Sequence, residues 1–212
     1  MLKTGTLSYQ EFENELLDFI ERAKNIQDSW NVEFPKGKSK ARKFLVKRQV
    51  KPALSGHKES DHEINKPFPE ENKWGVTEND EDCTVSVDQL SDVHGEFLKY
   101  EYHIVYSDSY SVPVLYFTAC RHDGRLLSLK EVWENVPDIY HDRLEYEKWT
   151  FLTQQEHPYL GVPFYQLHPC HTADMMKRAL SIHSDRPLNY LITWLSTVGP
   201  VVGLNLPLAY SV

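Results

Sequence analysis

The first regular pattern in the chain is an apolar stripe with the three- and four-residue spacing of one helix face. It lies between Ser8 and about Gln27. Ser8 and Glu11 form a capping-box pattern at its start, in which each side chain satisfies the other residue's backbone amide. We therefore predict an N-terminal helix whose apolar face packs on the core. The stripe consists of Phe12, Leu16, Phe19, Ile20 and Ala23.

Apolar runs rich in β-branched and aromatic residues then predict a series of strands. These runs lie at 44–46, 97–106 and 112–120, and a further strand is predicted at 149–153. The run at 112–120 is apolar at both odd and even positions. Because successive strand residues point to opposite faces, we expect both sides of the sheet to be covered.

Helical patterns return in the second half of the chain. Ser128 begins another capping box ahead of a short helix. After an irregular segment with prolines and a glycine at 158–163, a helix is predicted to begin at Thr172 or Asp174. A further helix is predicted at 187–198, with a proline in its first turn. This order predicts an α+β fold with an antiparallel sheet, an N-terminal helix and helices near the C-terminus.

Residues 55–92 differ from both of their flanks. They are rich in acidic residues, are interrupted by Pro67 and Pro69, and lack apolar periodicity. Such a composition does not bury enough apolar surface to fold by itself. Since neither flank is complete alone, we predict a single domain over 1–212 that carries a mobile acidic insertion at 55–92.

The overall composition narrows the function classes. Hydrophobic residues make up 41% of the 212 residues and charged residues 25%, which is typical of a globular protein. The formal net charge of −8 argues against a nucleic-acid partner. Neither a secretory signal nor an apolar run of the roughly 20 residues needed to cross a membrane is apparent. Because no such run is apparent, no stable membrane insertion is predicted. Three widely spaced cysteines favour a reducing, cytoplasmic location.

Cys170 is the strongest candidate for chemistry among those cysteines, because Cys83 lies in the acidic insertion and Cys120 ends an apolar strand. Pro169 stiffens the backbone before Cys170, His168 and His171 flank it, and a predicted helix begins just beyond. Positive charge at such a helix start favours the thiolate form. From the spacing alone, a reactive thiol and a structural buried cysteine remain equal alternatives.

The same residues are compatible with two other kinds of site. His168, Cys170 and His171, with His157, could bind a metal, but their spacing matches no structural zinc pattern, so no metal is predicted. Cys170 with a distant histidine and an aspartate could instead form a hydrolase triad. No protease signature surrounds the cysteine, and this reading stays a minority alternative.

Several motifs together resemble one family, the autophagy ubiquitin-like-conjugating enzymes. The central one is His168-Pro169-Cys170, and its neighbours spread over most of 97–208. The compact chain and the ending at 201–208 resemble the branch that conjugates a modifier to a protein rather than to a lipid. The supporting segments are 111–117, 123–125, 153–163 and 190–200.

The resemblance implies a ubiquitin-conjugating-enzyme-like core in which Cys170 is the nucleophile. This cysteine would take a ubiquitin-like modifier from its activating enzyme as a thioester and pass it to a lysine of an acceptor protein. The implied partners are autophagy-related protein twelve as modifier, protein seven as activating enzyme and protein five as acceptor. ATP is used upstream, so no cofactor is implied. A non-catalytic binding module for the modifier or activating enzyme is the alternative from another class.

One departure from general ubiquitin-conjugating enzymes concerns the oxyanion. Those enzymes carry an asparagine after a His-Pro pair, ahead of the cysteine, whereas here the cysteine itself follows His-Pro. The candidates to stabilise the developing charge are the amides of His171 and Thr172, the Thr172 hydroxyl and the side chain of Tyr106. His168 and His157 are further auxiliary candidates, each with the alternative of shaping its loop.

Overall fold

The computed structural model describes residues 4–35, 42–53, 97–140, 151–182 and 189–211. The predicted insertion at 55–92 lies outside these residues. Within them, a six-stranded antiparallel sheet has the order β1-β2-β3-β4-β6-β5. The strands are β1 Asn31–Glu33, β2 Phe44–Pro52, β3 Phe97–Ser107, β4 Val112–Arg121, β5 Leu152–Glu156 and β6 Pro163–Leu167. The helices are α1 Tyr9–Asn25, α2 Leu129–Glu134, α3 Thr172–Ile182 and α4 Tyr190–Val198.

The N-terminal helix is confirmed together with its capping box. Ser8 is the N-cap: its backbone N–H donates to Glu11 Oε2 at 2.8 Å, and its Oγ accepts from Glu11 N at 3.3 Å. The predicted apolar stripe is buried against the helix-facing side of the sheet. The capping box of α2 at Ser128 is confirmed as well.

The central strands pair in a register that places apolar residues on both faces of the sheet. Leu45, Ile104 and Leu115 are cross-strand neighbours on the helix-facing side and belong to the main core. On the opposite face, a smaller buried cluster is partly covered by two tyrosines. Its buried members are Phe44, Val46 and Val105, packed with Tyr116 and Tyr159. The expectation that both faces are covered is therefore confirmed.

The strand predicted at 149–153 is displaced towards the C-terminus. It begins at Leu152, runs to Glu156 and pairs with β6, which the sequence pattern did not predict. Pro163 suggested an irregular path, but it is the first residue of β6 and lies beyond the pairing of β6 with β4. A proline is tolerated there because its missing N–H removes no ladder bond from the sheet interior. The short strand β1 was also missed.

The C-terminal part contains the two expected helices and a folded tail. Helix α3 begins at Thr172, as predicted, while α4 begins at Tyr190 with Asn189 as its N-cap. The predicted helical start at 187 lies outside the described residues. Beyond α4 the chain forms a 3₁₀ turn at Gly199–Val202. None of the helices in the described ranges is long and apolar enough to cross a membrane.

Candidate active site

Cys170 lies at the junction between the sheet and α3. Strand β6 ends at Leu167, and a single 3₁₀ turn, Pro169–His171, leads directly into the helix. The proline occupies the first position of this turn and is buried, whereas Cys170 is exposed. Its fixed φ angle suits the start of a helical turn, where its missing N–H costs no hydrogen bond. The local sequence therefore presents the thiol at the surface on a stiff backbone.

His168 acts as the N-cap of this turn. Its Nδ1 accepts a hydrogen bond from the Cys170 backbone N–H at 3.3 Å, so in the neutral ring the proton is on Nε2. The imidazole also contacts the edge of Tyr110, with ring centroids 5.6 Å apart. Of the two roles predicted for His168, these contacts support the shaping of the cysteine loop.

A groove of about 580 Å³ opens beside Cys170. It lies between the 3₁₀ turn, α3, the end of α4 and the start of β4, with a mostly apolar lining. Besides Cys170, the polar residues that line the groove are His168, His171, Thr172, Asp174, Arg178 and Thr197. Its apolar residues are Pro113, Tyr140, Phe151, Leu167, Met175, Trp194, Val198 and Val201. An extended polypeptide could therefore lie along the thiol in a largely apolar channel.

Thr172 is buried and lines the same groove. Its backbone N–H donates to the carbonyl oxygen of Pro169, which closes the 3₁₀ turn. This amide is consequently engaged within the turn and is not free to donate to an oxyanion in this conformation. The Thr172 hydroxyl keeps its place among the candidates.

Tyr106 is not brought into the groove. Its hydroxyl donates to the backbone oxygen of Leu7 at 2.7 Å, and its ring packs against Tyr9 and Phe12 of α1. The cross-strand partner of Tyr106 is Pro113, which does line the groove, so the tyrosine is nearby in register but points its hydroxyl elsewhere. Its predicted role as an oxyanion donor is therefore not supported.

His157 lies on the opposite face of the sheet and is fully buried. Its Nδ1 accepts from the backbone N–H groups of Tyr159 and Leu160, both at 3.3 Å. The ring proton is therefore on Nε2, which donates to Nδ1 of His103 at 3.0 Å. Burial, followed by the neighbouring His103, lowers the pKa of His157 to about 3. This neutral histidine shapes the turn between β5 and β6 and does not reach Cys170.

The hydrogen-bond chain continues from His103 to an ion pair. His103 Nε2 donates to Oε1 of Glu101 at 2.7 Å, and Arg48 donates to both carboxylate oxygens at 3.0 Å. Burial acts to raise the pKa of Glu101, but the hydrogen bonds from His103 and Arg48 outweigh it and hold the pKa at about 2. These groups anchor the outer face of the sheet, away from the thiol.

Several groove residues were not identified from the sequence. Asp174 was predicted only as a possible helix start, yet it lines the groove together with the buried Trp194. The four-residue intervals from Cys170 to Asp174 and on to Arg178 were the available signal, because such residues share a helix face. Among the described ranges, no group of three or more histidine, cysteine or acidic residues could hold a metal ion.

Comparisons with known proteins identify the family of this chain. A family model described as "Autophagocytosis associated protein, active-site domain" matches residues 11–209. A human protein named ubiquitin-like-conjugating enzyme ATG10 is 40% identical over 203 residues, which cover 94% of this chain and 90% of the relative.

Two further relatives carry the same name. The protein from Arabidopsis thaliana is 46% identical over 114 residues, and that from Dictyostelium discoideum is 40% identical over 119 residues. Each alignment covers 51% of this chain, with 51% and 52% of the respective relatives. The match over almost the whole chain, together with the six-stranded antiparallel sheet, shows that this protein belongs to the autophagy ubiquitin-like-conjugating enzyme family.

Proposed function

We propose that Cys170 carries a ubiquitin-like modifier as a thioester and delivers it to a lysine of an acceptor protein. The observation that supports this proposal best is the exposed thiol beside an apolar groove, at the start of α3. A structural cysteine would be expected inside the core. Family membership makes a conjugating reaction the appropriate chemistry for a thiol in this position.

The first step is an exchange of thioesters. The Cys170 thiolate attacks the carbonyl carbon of the modifier's C-terminal residue, which is bound to a cysteine of the activating enzyme. A new C–S bond forms, the old one breaks, and the activating enzyme's thiolate leaves. The partial positive charge at the start of α3 favours both the attacking thiolate and the tetrahedral oxyanion.

The second step forms the isopeptide bond. The neutral amine of the acceptor lysine attacks the thioester carbonyl, Cys170 leaves as a thiolate, and the amine's surplus proton passes to a base. Asp174 lines the groove and is exposed, so its carboxylate can receive the lysine ammonium and hold the amine beside the thioester as it loses its proton. The apolar walls exclude water that would otherwise hydrolyse the thioester.

The partners that we propose follow from the family resemblance: autophagy-related protein twelve as modifier, protein seven as activating enzyme and protein five as acceptor. We further propose that the protein works in the cytoplasm as a single domain, with no nucleic-acid partner and no stable insertion into a membrane. The net charge of −8 supports the absence of a nucleic-acid partner.

A charging assay tests the proposal. The protein is incubated with protein seven, ATP and protein twelve and analysed on a non-reducing gel beside Cys170→Ser and Cys170→Ala. We expect an adduct that reducing agent removes, an ester that resists it in the serine variant, and none in the alanine variant. A folded wild-type protein that forms no adduct would favour a binding module. Free modifier released without acceptor, faster than from the activating enzyme alone, would favour a hydrolase.

A further inference from the structure

A partly buried set of polar groups connects the sheet to the 3₁₀ turn at Gly199–Val202. Lys51 lies on the helix-facing side of β2, and its Nζ is held over the rings of Tyr100 and Tyr102, at 4.5 and 4.9 Å from their centroids. The same ammonium donates to the Tyr102 hydroxyl at 2.6 Å and to the backbone oxygen of Gly203. The lysine is therefore positioned by four contacts at once.

Tyr102 extends this set to the preceding residue of the turn. Its side chain is fully buried, and its hydroxyl donates to the backbone oxygen of Val202 at 2.7 Å. Two successive carbonyl groups, those of Val202 and Gly203, are thus held by two side chains of the sheet. Because buried carbonyls left without donors are costly, this pairing ties the turn to β2 and β3.

The turn itself is compact. Its internal hydrogen bonds join Gly203 N to the Pro200 oxygen at 3.0 Å and Leu204 N to the Gly199 oxygen at 2.8 Å. A Cβ atom on Gly199 would lie 2.4 Å from the Leu204 oxygen, so the backbone segments approach as closely as glycine allows. We expect a segment bonded in this way to shift as a unit.

The side chains of this turn contribute to the groove beside Cys170. Val201, within the turn, and Val198, immediately before it, line the groove beside Cys170. The carbonyls of the same segment are therefore bound to the sheet, while its side chains form part of a groove wall. Any displacement of the turn relative to the sheet changes the width of the groove.

We propose that Lys51 and Tyr102 are positioning residues for conjugation, because they set the place of the Val198–Val201 wall relative to Cys170. This inference rests on the proposed function and adds to it that the groove holds the modifier's C-terminal segment beside the thiol. Lys51 is half-buried among tyrosines, and this burial removes part of the hydration of its amine. A methionine of similar length would not carry this cost. The hydrogen bonds of Lys51 to Tyr102 and to the turn offset it. Neither residue contacts the reacting atoms.

The test uses full-length Lys51→Met and Tyr102→Phe, which keep the apolar bulk and remove the hydrogen bonds. In the charging assay, we expect KM for the loaded activating enzyme to rise about fivefold while kcat stays within about twofold. This pattern is expected when binding that is equal in the ground state and the transition state is lost.

Matched controls are Lys47→Met, which loses a buried cation on the same face of β2, and Tyr165→Phe, which loses a buried hydroxyl bond to the Leu127 oxygen. The controls should leave KM unchanged.

A second readout does not depend on the enzyme cascade. Alkylation of Cys170 by small iodoacetamide and by bulky N-phenylmaleimide is followed by mass spectrometry of the Cys170 peptide. We expect the ratio of the maleimide rate to the iodoacetamide rate to change at least about threefold in Lys51→Met and Tyr102→Phe, since only the bulky reagent fills the groove. Neither control should change this ratio. Hydrogen exchange of the Leu204 amide should accelerate in the same variants.

The outcomes separate the two proposals. Folded Lys51→Met and Tyr102→Phe with wild-type KM and a wild-type alkylation ratio would overturn the positioning role of Lys51 and Tyr102. The thioester proposal would then still stand. Failure of the wild-type protein to charge would overturn the proposed function. The alkylation ratio would still decide whether Lys51 and Tyr102 set the position of the groove wall. If Lys51→Met does not fold, Tyr102→Phe, which loses a single oxygen atom, decides the question alone.

Discussion

The imidazole of His168 accepts a hydrogen bond from the backbone amide of Cys170, with 3.3 Å between Nδ1 and N. The two residues therefore form a local cap, in which the histidine sets the backbone that carries the thiol. The bond also uses one of the amides closest to the reacting centre. The residue before the proline thus matters for the geometry of the cysteine loop, whether or not it takes part in proton transfer.

Replacement of His168 tests this capping role. His168→Ala should slow charging by about fivefold, because losing an N-cap costs roughly 1 kcal/mol and lets the turn fray. His168→Asn should retain most of the activity, since an asparagine oxygen can accept the same amide bond. Single-turnover charging rates of the three proteins make the measurement. Equal losses in both variants would mean that the imidazole contributes through more than the cap.

Asp174 should affect transfer to the acceptor more than loading. We expect Asp174→Asn to slow discharge of preformed thioester to the acceptor lysine by about tenfold at pH 7. This is less than the roughly hundredfold or larger contribution of a well-positioned general base, because the carboxylate is exposed. The loading rate should change by less than about twofold. Discharge measured in single turnover over a series of pH values gives the test. A smaller deficit at high pH would support an effect on the lysine's proton, and equal slowing of both steps would contradict it.

The buried His157 predicts an acid-sensitive fold. Its pKa is about 3 in the folded state, against an ordinary value of 6.5, so the unfolded chain binds a proton that the folded protein does not. Stability should therefore fall as the pH is lowered from about 6.5 towards 3, by up to about 1.4 kcal/mol for each pH unit from this group. Urea unfolding at pH 7.0 and 5.0 measures the slope.

A matched variant isolates this contribution. His157→Phe should be less stable at pH 7, because the Tyr159 and Leu160 amides lose their acceptor. The difference in stability between pH 7 and 5 should nevertheless be smaller than in the wild-type protein. An unchanged slope would assign the acid sensitivity to other groups.

Replacement of two glycines by alanine compares a steric clash, at Gly199, with an unfavourable backbone conformation alone, at Gly124. Gly199→Ala places its Cβ 2.4 Å from the Leu204 oxygen and should lower the free energy of unfolding by more than about 2 kcal/mol. Gly124→Ala, at φ +85° with no neighbouring atom within 4 Å, should cost only about 1–2 kcal/mol from the left-handed backbone. Urea unfolding of both variants gives the comparison, and equal losses would contradict the close approach at Gly199.

Predictions from local pattern succeeded where the structure depends on a few consecutive residues. The capping boxes at Ser8 and Ser128 and the start of α3 at Thr172 are examples. Strand β6 was missed because Pro163, a strand breaker in isolation, lies at the one end of the strand where its missing donor does no harm. Its effect depended on the neighbouring strands.

The sequence by itself determined the helices, the central strands and the proline-stiffened backbone before Cys170, because caps, periodicity and proline geometry act over one or two turns. The exposure of the Cys170 thiol was decided by the tertiary structure. Only the tertiary structure decided which distant groups meet at the groove. It turned the Tyr106 hydroxyl towards Leu7, and it placed Val201 beside the thiol with Lys51 behind it. Such contacts depend on strand register, on the face of the sheet and on side-chain direction, which no local pattern contains.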